Sequence, residues 1–538
     1  MPVNQTVSAV CRAWLAPVGA AAAAALLCFG APPRTAQGVD RDVAGAPPAL
    51  GMNLSSVTDW NREWVFVDVF RHSRSWIPQK AGQSQPWSTQ EPLAVTDEGW
   101  PILNPGQAAA TLMCRDMEGH YPNGTYTLTY EGQGDIFVGL DAKRAVQAGP
   151  NHYRFDVVPG NGGIYLRIDR SDRQDPVRNI NVWMPDFEQA ASAFHPLFIE
   201  RLRPFKVIRF MDWQRTNNSR LVRWTDRTRP DDVRQSGPEG VAVEYMIDLC
   251  NESGADPWFC MPHLADDDFV RNFASLVKQR LAPQRTIYVE WSNEAWNSLF
   301  SQGRWVHEKA KSKGVADPQI TADEARRDWR LWHEVFGDQA DRVVRVAAGH
   351  LNNPWVIKVM LEHLDGEFDA VACAPYFGPG GNLDAQTTTE QLLRGASRRI
   401  DEWVLPRIAK HRSMADRWRQ KLGRPLLLLG YEAGQAILPI EGFMGGRRKF
   451  VSWKQAAWEC QTHPMMYDLY KKLLNGCAAA GVDVVVAFNY VGKQDKWGSW
   501  GHLRYQDESL QSAPKFRALL DAVSIGPSSS GQETVRVN

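Results

Sequence analysis

Two glutamates in the second half of the chain stand where buried apolar segments end. Glu294 follows "TIYVEWSN" and Glu432 follows "LLLLGY". Two carboxyl groups that face each other across a cleft can cleave a glycosidic bond: one donates a proton to the leaving oxygen while the other attacks or stabilises the oxocarbenium-like carbon. Asn293, directly before Glu294, has an amide that could hydrogen-bond a sugar 2-hydroxyl, a contact that strengthens in the transition state. Glu294 and Glu432 are therefore the candidate catalytic pair.

Further polar and aromatic residues that could handle a sugar also follow apolar segments. They are Arg209, His263, Tyr376, Asn489, Trp497 and Trp500. Arg209 would neutralise a buried acid, and near Glu432 it would also keep that acid ionised. For His263, a structural role and a role in binding sugar hydroxyls both stay open. The two tryptophans are flanked by glycines, which favours platforms on which sugar rings stack.

The elements that must position these residues alternate in type from residue 194 onward. Seven short apolar segments are each followed by a segment with helical periodicity. The apolar segments are "PFKVIRFMDW", "DPWFCMPH", "TIYVEW", "DRVVRVAAGH", "FDAVACAPYFG", "RPLLLLGYEAG" and "GVDVVVAFNY". Continuous apolar runs are typical of strands buried on both faces, and repeated βα units predict a parallel sheet.

An eighth strand would close this sheet into a barrel, and "ALGMNLSSV" (49–57) is the candidate for the first strand. Between it and the second strand, segments such as "GTYTLTYEGQGDIFVGL" and "GGIYLRIDR" alternate with period two and are separated by Gly, Asn and Asp. This pattern predicts antiparallel strands. The predicted fold is therefore α/β: a (β/α)8 TIM barrel with an accessory antiparallel β-sandwich inserted near the N-terminus. In such a barrel, function lies at the carboxyl ends of the strands, where the candidate residues stand.

The predicted organisation has six parts. They are a signal peptide (1–36), a linker (37–48), the first barrel strand and its loop (49–84), the β-sandwich module (85–188), the (β/α)8 barrel catalytic domain (189–525) and a disordered tail (526–538). Arg12 followed by "WLAPVGAAAAAALLCFGAP" is typical of a secretory signal, which predicts a secreted or periplasmic protein. The alternative is an uncleaved N-terminal anchor, because the apolar run approaches the length that spans a bilayer.

Composition and failed motifs exclude several functions. Lys plus Arg equals Asp plus Glu at 61 each, which disfavours nucleic acid and, apart from the possible anchor, a membrane surface. Asp266, Asp267 and Asp268 favour a helix N-terminus over a metal site. "WHEVFG" lacks the second histidine of a zinc protease, and no GxSxG motif is present. The sequence therefore predicts no cofactor and no metal, and it does not indicate an oligomeric state.

The two glutamate segments resemble those of a known group of enzymes. "YVEWSNE" is similar to the E-x-x-N-E signature on the fourth strand of retaining glycoside hydrolases of clan A, and "LLLLGYEAG" resembles their seventh-strand nucleophile segment. The resemblance implies that Glu294 is the acid/base, Glu432 the nucleophile and Tyr376 a hydrogen-bond donor to the nucleophile. It also places Arg209, His263 and a tryptophan after the eighth strand in supporting positions. The chain further resembles bacterial exported proteins labelled cellulose-binding domain proteins.

The resemblance is incomplete, and a rival interpretation stays open. Ala295 stands where many clan members have proline, and no histidine lies near Tyr376, so the family within the clan is not indicated. The expected function is retaining hydrolysis of a β-linked polysaccharide or oligosaccharide. The alternative is a non-catalytic carbohydrate-binding protein built on a glycosidase-like scaffold.

Overall fold

Eight parallel strands form the central sheet of the computed structural model, which describes residues 46–83, 85–440, 450–495 and 498–525. They are β1 (Ala49–Asn53), β2 (Val207–Arg209), β3 (Asp256–Met261), β4 (Ile287–Trp291), β5 (Val343–Ala348), β6 (Ala370–Cys373), β7 (Leu427–Gln435) and β8 (Val484–Ala487). Neighbours pair in the order β6, β5, β4, β3, β2, β1, β8, β7, and β7 pairs with β6. The sheet is thus closed, which confirms the predicted barrel. The short strand Tyr376–Phe377 adds to the end of β7.

Burial on both faces explains why the barrel strands are continuous apolar runs. Side chains alternate across a strand. In β4, Tyr288 belongs to the cluster inside the barrel, whereas Ile287 and Val289 belong to the cluster shared with the surrounding helices. The described cysteines are buried and have free thiols. They are Cys114, Cys250, Cys260, Cys373, Cys460 and Cys477.

Helices follow the barrel strands and pack against the outside of the barrel. Their bounds are Pro196–Leu202, Val243–Ser253, Asp267–Arg280, Ser301–Lys313, Asp317–Phe336, Pro354–Leu364, Thr389–Arg399, Leu405–Leu422, Lys454–Glu459, Met465–Ala479 and Pro514–Ile525. Asp266 caps the helix that begins at Asp267 by accepting a hydrogen bond from the backbone N–H of Phe269 at 2.7 Å. The predicted capping role is therefore confirmed. In the described ranges, no group of three or more acidic, histidine or cysteine side chains is placed to hold a metal ion.

Two four-stranded antiparallel sheets occupy the segment between β1 and β2. One contains Ile77–Lys80, Gln107–Met113, Ile164–Ser171 and Gly134–Leu140; the other contains Arg178–Trp183, Gly124–Glu131, His152–Val157 and Val146–Gly149. A two-stranded ribbon joins Ala94–Val95 to Pro101–Ile102. Residues from both large sheets share one hydrophobic cluster. The antiparallel module starts at Ile77, before the predicted boundary at 85, because Ile77–Lys80 pairs with Gln107–Met113. Its classification as a sandwich stays a prediction.

The antiparallel module contacts loops at the carboxyl ends of β1 and β8. The ring of His120 stacks on Tyr505 with centroids 3.6 Å apart, and the guanidinium of Arg62 lies 4.2 Å from the centre of the same tyrosine ring. The indole Nε1 of Trp64 donates to the carbonyl oxygen of His120 at 3.0 Å. The module therefore packs at the end of the barrel where the candidate residues stand.

Several predictions concern residues outside the described ranges. They are the signal peptide, most of the linker, the C-terminal tail and Trp497. Within the part of the chain that the structure describes, no helix has the length and apolar character needed to span a membrane.

Candidate active site

Arg209, at the end of β2, is the centre of a buried polar cluster. Its Nη1 donates to Glu432 at 2.8 Å and to Asn53 at 3.3 Å, and its Nη2 donates to Asn293 at 2.8 Å. Both Nη2 and Nε donate to Glu290 Oε2, at 2.9 and 3.2 Å. All five N–H groups of the guanidinium are thus used. Arg209 joins β1, β4 and β7 and pairs with two buried acids, Glu290 and Glu432.

Glu432 lies on β7 with only 6% of its surface exposed. Its Oε1 accepts from Arg209, and its Oε2 accepts from the hydroxyl of Tyr376 at 3.0 Å. The pKa of Glu432 is raised, because the effect of burial exceeds that of the Arg209 charge and the Tyr376 hydrogen bond, which both lower it. Both carboxylate oxygens are therefore held in one orientation by donors that favour the ionised form.

Glu294 lies just beyond the end of β4, where the backbone turns sharply. Ser292 and Glu294 have φ angles of 58° and 40°, in the left-handed region that non-glycine residues seldom adopt. Among the described residues, the half-buried carboxyl of Glu294 accepts one hydrogen bond, from the Asn297 amide at 3.0 Å. Burial and the negative charge of Glu432 raise the pKa of Glu294 to about 7. At neutral pH, this carboxyl group can therefore still carry a proton.

The two glutamates have unequal surroundings, which decides which of them ionises first. Glu432 receives hydrogen bonds from a cation and a phenol, whereas Glu294 receives one from a neutral amide. For two interacting acids, the first proton leaves the group whose charge is better stabilised. Glu432 is therefore the first of the two to ionise and Glu294 keeps its proton to higher pH, which is the order that a nucleophile and a general acid need.

Asn293 is fixed by partners on three sides. Its Oδ1 accepts from Arg209, and its Nδ2 donates to Asn217 Oδ1 at 3.1 Å. Nε2 of Gln302 donates to the backbone oxygen of Asn293 at 2.8 Å and to Asn217 Oδ1 at 2.7 Å. An amide nitrogen has two hydrogens, and the second N–H of Asn293 has no partner among the described residues.

Trp500 contacts the tyrosine that donates to Glu432. The rings of Trp500 and Tyr376 meet edge to face, with centroids 5.3 Å apart. The preceding residue, Ser499, is held through its carbonyl oxygen, which accepts from Nζ of Lys515 at 2.9 Å and from Nε2 of Gln435 at 2.7 Å. A buried lysine thus fixes the loop that carries Trp500.

His263 and Asn489 have unused hydrogen-bonding atoms. Nδ1 of His263 and Oδ1 of Asn489 are buried and have no hydrogen-bond partner among the described residues. Burial lowers the pKa of His263 to about 4, so its ring is neutral at neutral pH. The Asn489 amide donates to Ser55 Oγ at 2.7 Å. An unpaired buried polar atom costs about 1–3 kcal/mol, which a hydrogen bond to a ligand would offset.

The structure adds partners that the sequence analysis did not identify. Asn53 ends β1 and binds Arg209, and Asn297 binds Glu294. Asn53 could have been found, since it is a polar residue at the end of a predicted strand like the other candidates. Asn297 and Lys515 gave no such signal, because their roles depend on a turn and on a contact with a distant loop.

Comparison with known proteins gives remote similarities only. No family model and no curated protein matches the chain. Among solved structures, a GH51 arabinofuranosidase from Xanthomonas axonopodis pv. citri is 15% identical to this chain, with a TM-score of 0.38. The match covers 56% of this chain and 62% of the arabinofuranosidase, which is less than two thirds of that protein's length. A family 39 glycoside hydrolase from Bacteroides cellulosilyticus WH2 is 12% identical, with a TM-score of 0.36 over 76% of this chain and 79% of that chain. An endo-1,4-beta-D-xylanase 10B from Clostridium thermocellum is 10% identical, with a TM-score of 0.35 over 87% and 98%.

Proposed function

We propose that this chain is an exported glycoside hydrolase that cleaves β-linked polysaccharide or oligosaccharide with retention of configuration. Glu294 acts as the acid/base and Glu432 as the nucleophile. The observation that carries the proposal is the contrast between their surroundings: Glu432 is bound by Arg209 and Tyr376, whereas burial and the charge of Glu432 raise the pKa of Glu294 to about 7. A protein that only binds sugar has no need of two acids with opposite protonation states.

In the first step, an ionised Oε of Glu432 attacks the anomeric carbon. The bond from that carbon to the leaving oxygen breaks, and Glu294 gives its proton to the leaving oxygen. The product is a glycosyl ester on Glu432 and a free alcohol. The remaining N–H of Asn293 donates to the sugar 2-hydroxyl, and Trp500 supports a sugar ring beside Tyr376.

In the second step, Glu294 acts as the base because Glu432 has lost its negative charge. Once Glu432 is esterified, its negative charge no longer raises the pKa of Glu294, so Glu294 ionises readily. The Glu294 carboxylate then takes a proton from water as the water oxygen attacks the anomeric carbon, and Glu432 leaves as a carboxylate. Two displacements at the same carbon retain its configuration.

The decisive experiment compares wild type with Glu432→Ala on a panel of plant, algal and microbial glycans, with products identified by mass spectrometry. Glu432→Ala should abolish turnover, and azide should restore cleavage with a glycosyl azide of inverted configuration. Unchanged turnover would eliminate Glu432 as the nucleophile. Retention of glycan by a wild type that cleaves none of the panel would favour the carbohydrate-binding alternative.

A crystal structure with a bound sugar analogue supplies an independent check. Retention requires the two carboxyl groups to be about 5–5.5 Å apart, whereas inversion requires about 6.5–9.5 Å. A separation of about 6.5–9.5 Å would indicate an inverting mechanism instead of a retaining one. A separation longer than both ranges would contradict the proposed function.

A further inference from the structure

Two arginines lie over the same indole ring on the long helical segment that follows β6. In this segment the helix Thr389–Arg399 continues through a π-helical turn into the helix Leu405–Leu422. The guanidinium carbons of Arg399 and Arg407 are 4.0 and 3.2 Å from the centre of the Trp403 ring. An aromatic ring attracts cations only weakly at an exposed site, so one ring does not neutralise two of them. Arg399 and Arg407 are called the arginine pair below.

No acidic side chain in the described parts of the chain forms an ion pair with either member of the arginine pair. Nη1 of Arg407 donates to the backbone oxygen of Trp403 at 3.1 Å, and Arg399 donates to no described residue. Other arginines of the same segment do form ion pairs, namely Arg394 with Glu390 and Arg412 with Asp416. Partial burial and the positive charge of Arg399 lower the pKa of Arg407. The arginine pair therefore holds two cations that repel each other.

The loop after β5 links the arginine pair to the candidate active site. Nε1 of Trp403 donates to Oδ1 of Asn352 at 2.9 Å. Two residues before Asn352, the ring of His350 stacks on Trp296 with centroids 4.1 Å apart. Trp296 in turn lies two residues after Glu294, the proposed acid/base. A ligand that extends from Glu294 along this loop therefore reaches the arginine pair.

Packing fixes the direction of Arg399. Its aliphatic stem lies against Gly380 in the loop after β6, where an added Cβ would be 2.6 Å from Cδ of Arg399. A larger residue at position 380 would therefore displace the arginine. With the stem against one loop and the guanidinium over Trp403, the charged end keeps few conformations. A guanidinium held in this way loses little entropy when it binds an anion.

The charge of this region indicates the class of ligand. Residues 389–424 contain ten lysines and arginines and four acids, although the whole chain has no net charge. A guanidinium binds a carboxylate or a sulfate through two parallel N–H groups, and the negative charge also relieves the repulsion between the two cations. The hydroxyls of a neutral sugar offer no such compensation. An acidic sugar unit is therefore the ligand that the arginine pair favours.

We propose that the arginine pair binds acidic groups of the substrate, so that the preferred substrate is a β-linked polysaccharide with carboxylate or sulfate groups. The shared loop favours the substrate over a separate protein partner, because a ligand at this position lies close to Trp296 and the turn that carries Glu294. This substrate class rests on the proposed function. It is tested by binding rather than by turnover, so that its failure and the failure of the proposed function are distinguishable.

The test measures, by calorimetry, the binding of hexasaccharides to the full chain with Glu432→Gln, which removes the proposed nucleophile and keeps the volume of the side chain. The ligands are cello- and manno-hexasaccharides, the same chains oxidised to uronic acids, and a sulfated cello-hexasaccharide. The uronic acid and sulfate arms separate the two sources of negative charge. The parent should bind an acidic chain about tenfold more tightly than its neutral counterpart, and added salt should reduce this preference.

Arg399→Met and Arg407→Met should each weaken binding of the acidic chain by about tenfold, because each removes one charge-assisted contact. Binding of the neutral chain should change by less than about twofold. The matched control is Arg419→Met, which removes an exposed arginine from the same helical segment and should bind both chains like the parent. Thermal unfolding of each variant checks that the fold is kept.

A parent that binds no acidic chain, or binds acidic and neutral chains equally, would overturn the inference. So would arginine variants that bind the acidic chain like the parent, or an equal loss in Arg419→Met. Binding to phosphatidylglycerol vesicles that both variants lose, without any preference for acidic sugars, would assign the arginine pair to a lipid surface instead. A preference for acidic chains in a wild type that cleaves none of them would contradict the proposed function and keep the binding site.

Discussion

Replacing Tyr376 by phenylalanine removes the hydroxyl that donates to Glu432 and keeps the ring. The hydrogen bond is 3.0 Å long and ends on a carboxylate that is only 6% exposed. A hydrogen bond to a charged group contributes about 1.5–3 kcal/mol. Since one pKa unit corresponds to about 1.36 kcal/mol, the loss should raise the pKa of Glu432 by about one to two units.

The direction of this pKa shift follows from the form of Glu432 that the Tyr376 hydroxyl stabilises. Tyr376 donates to the ionised carboxylate, so its removal favours the protonated acid, and a higher pH is needed to form the nucleophile. The acid limb of kcat/KM against pH should therefore move to higher pH by about one to two units. The basic limb, which reports Glu294, should move much less. The assay is kcat/KM over a full pH range, with the glycan that the panel identifies.

Tyr431→Phe is the matched control. Tyr431 is buried next to Glu432 in the sequence, and its hydroxyl has no hydrogen-bond partner among the described residues. The variant keeps the ring beside the guanidinium of Arg209, 5.0 Å from its centre, and should reproduce the wild-type profile. An unmoved acid limb in Tyr376→Phe would refute the reasoning, and so would an equal shift in both variants.

Three further substitutions test other contacts. Asn297→Ala should move the basic limb of the kcat/KM profile to higher pH, because the Asn297 amide stabilises the ionised form of Glu294 and its loss raises a pKa already near 7. A basic limb that does not move would show that this limb reports a group other than Glu294. Arg209→Met should lower the free energy of unfolding by about 3–5 kcal/mol, since it leaves buried carboxylates unpaired. The control is Arg170→Met, in an ion pair whose side chains are 63% exposed, and it should leave the denaturation midpoint nearly unchanged. Equal denaturation midpoints for the two variants would contradict this prediction. Lys515→Met should raise KM several-fold with little change in kcat, because it loosens the loop that supports bound sugar; a fall in kcat at constant KM would place Lys515 in the chemistry instead.

The barrel could be predicted because its strands carry a local signal. Runs such as "LLLL" before Glu432 are buried on both faces, and that burial is visible in the sequence without knowledge of the partners. The start of the antiparallel module could not be predicted in the same way. Ile77–Lys80 is short and contains Pro78, which interrupts the strand pattern, and it becomes a strand by pairing with the distant segment Gln107–Ala110.

The positions of the candidate residues could be predicted from the sequence itself, whereas the hydrogen bond from Tyr376 to Glu432 was expected only from the resemblance to known enzymes. Arg209, Tyr376 and Glu432 each follow an apolar run, so the strand ends pointed to them. Their hydrogen bonds join residues from different strands and form only when the eight strands close into a barrel. The sequence of any one strand therefore does not predict them. The same limit applies to Asn297, whose contact with Glu294 arises from a tight turn with left-handed backbone angles.

The position of β1 in the barrel determines which shortened forms of this protein can fold. β1 fills the gap between β2 and β8, although the whole antiparallel module separates it from β2 along the chain. A truncated protein that began after the module would leave β2 and β8 as open edges, and unpaired strand edges recruit other chains into aggregates. An independent barrel would therefore have to keep β1 and join Asn53 to the helix Pro196–Leu202, which crosses back to the start of β2, so that the seam of the cylinder still closes.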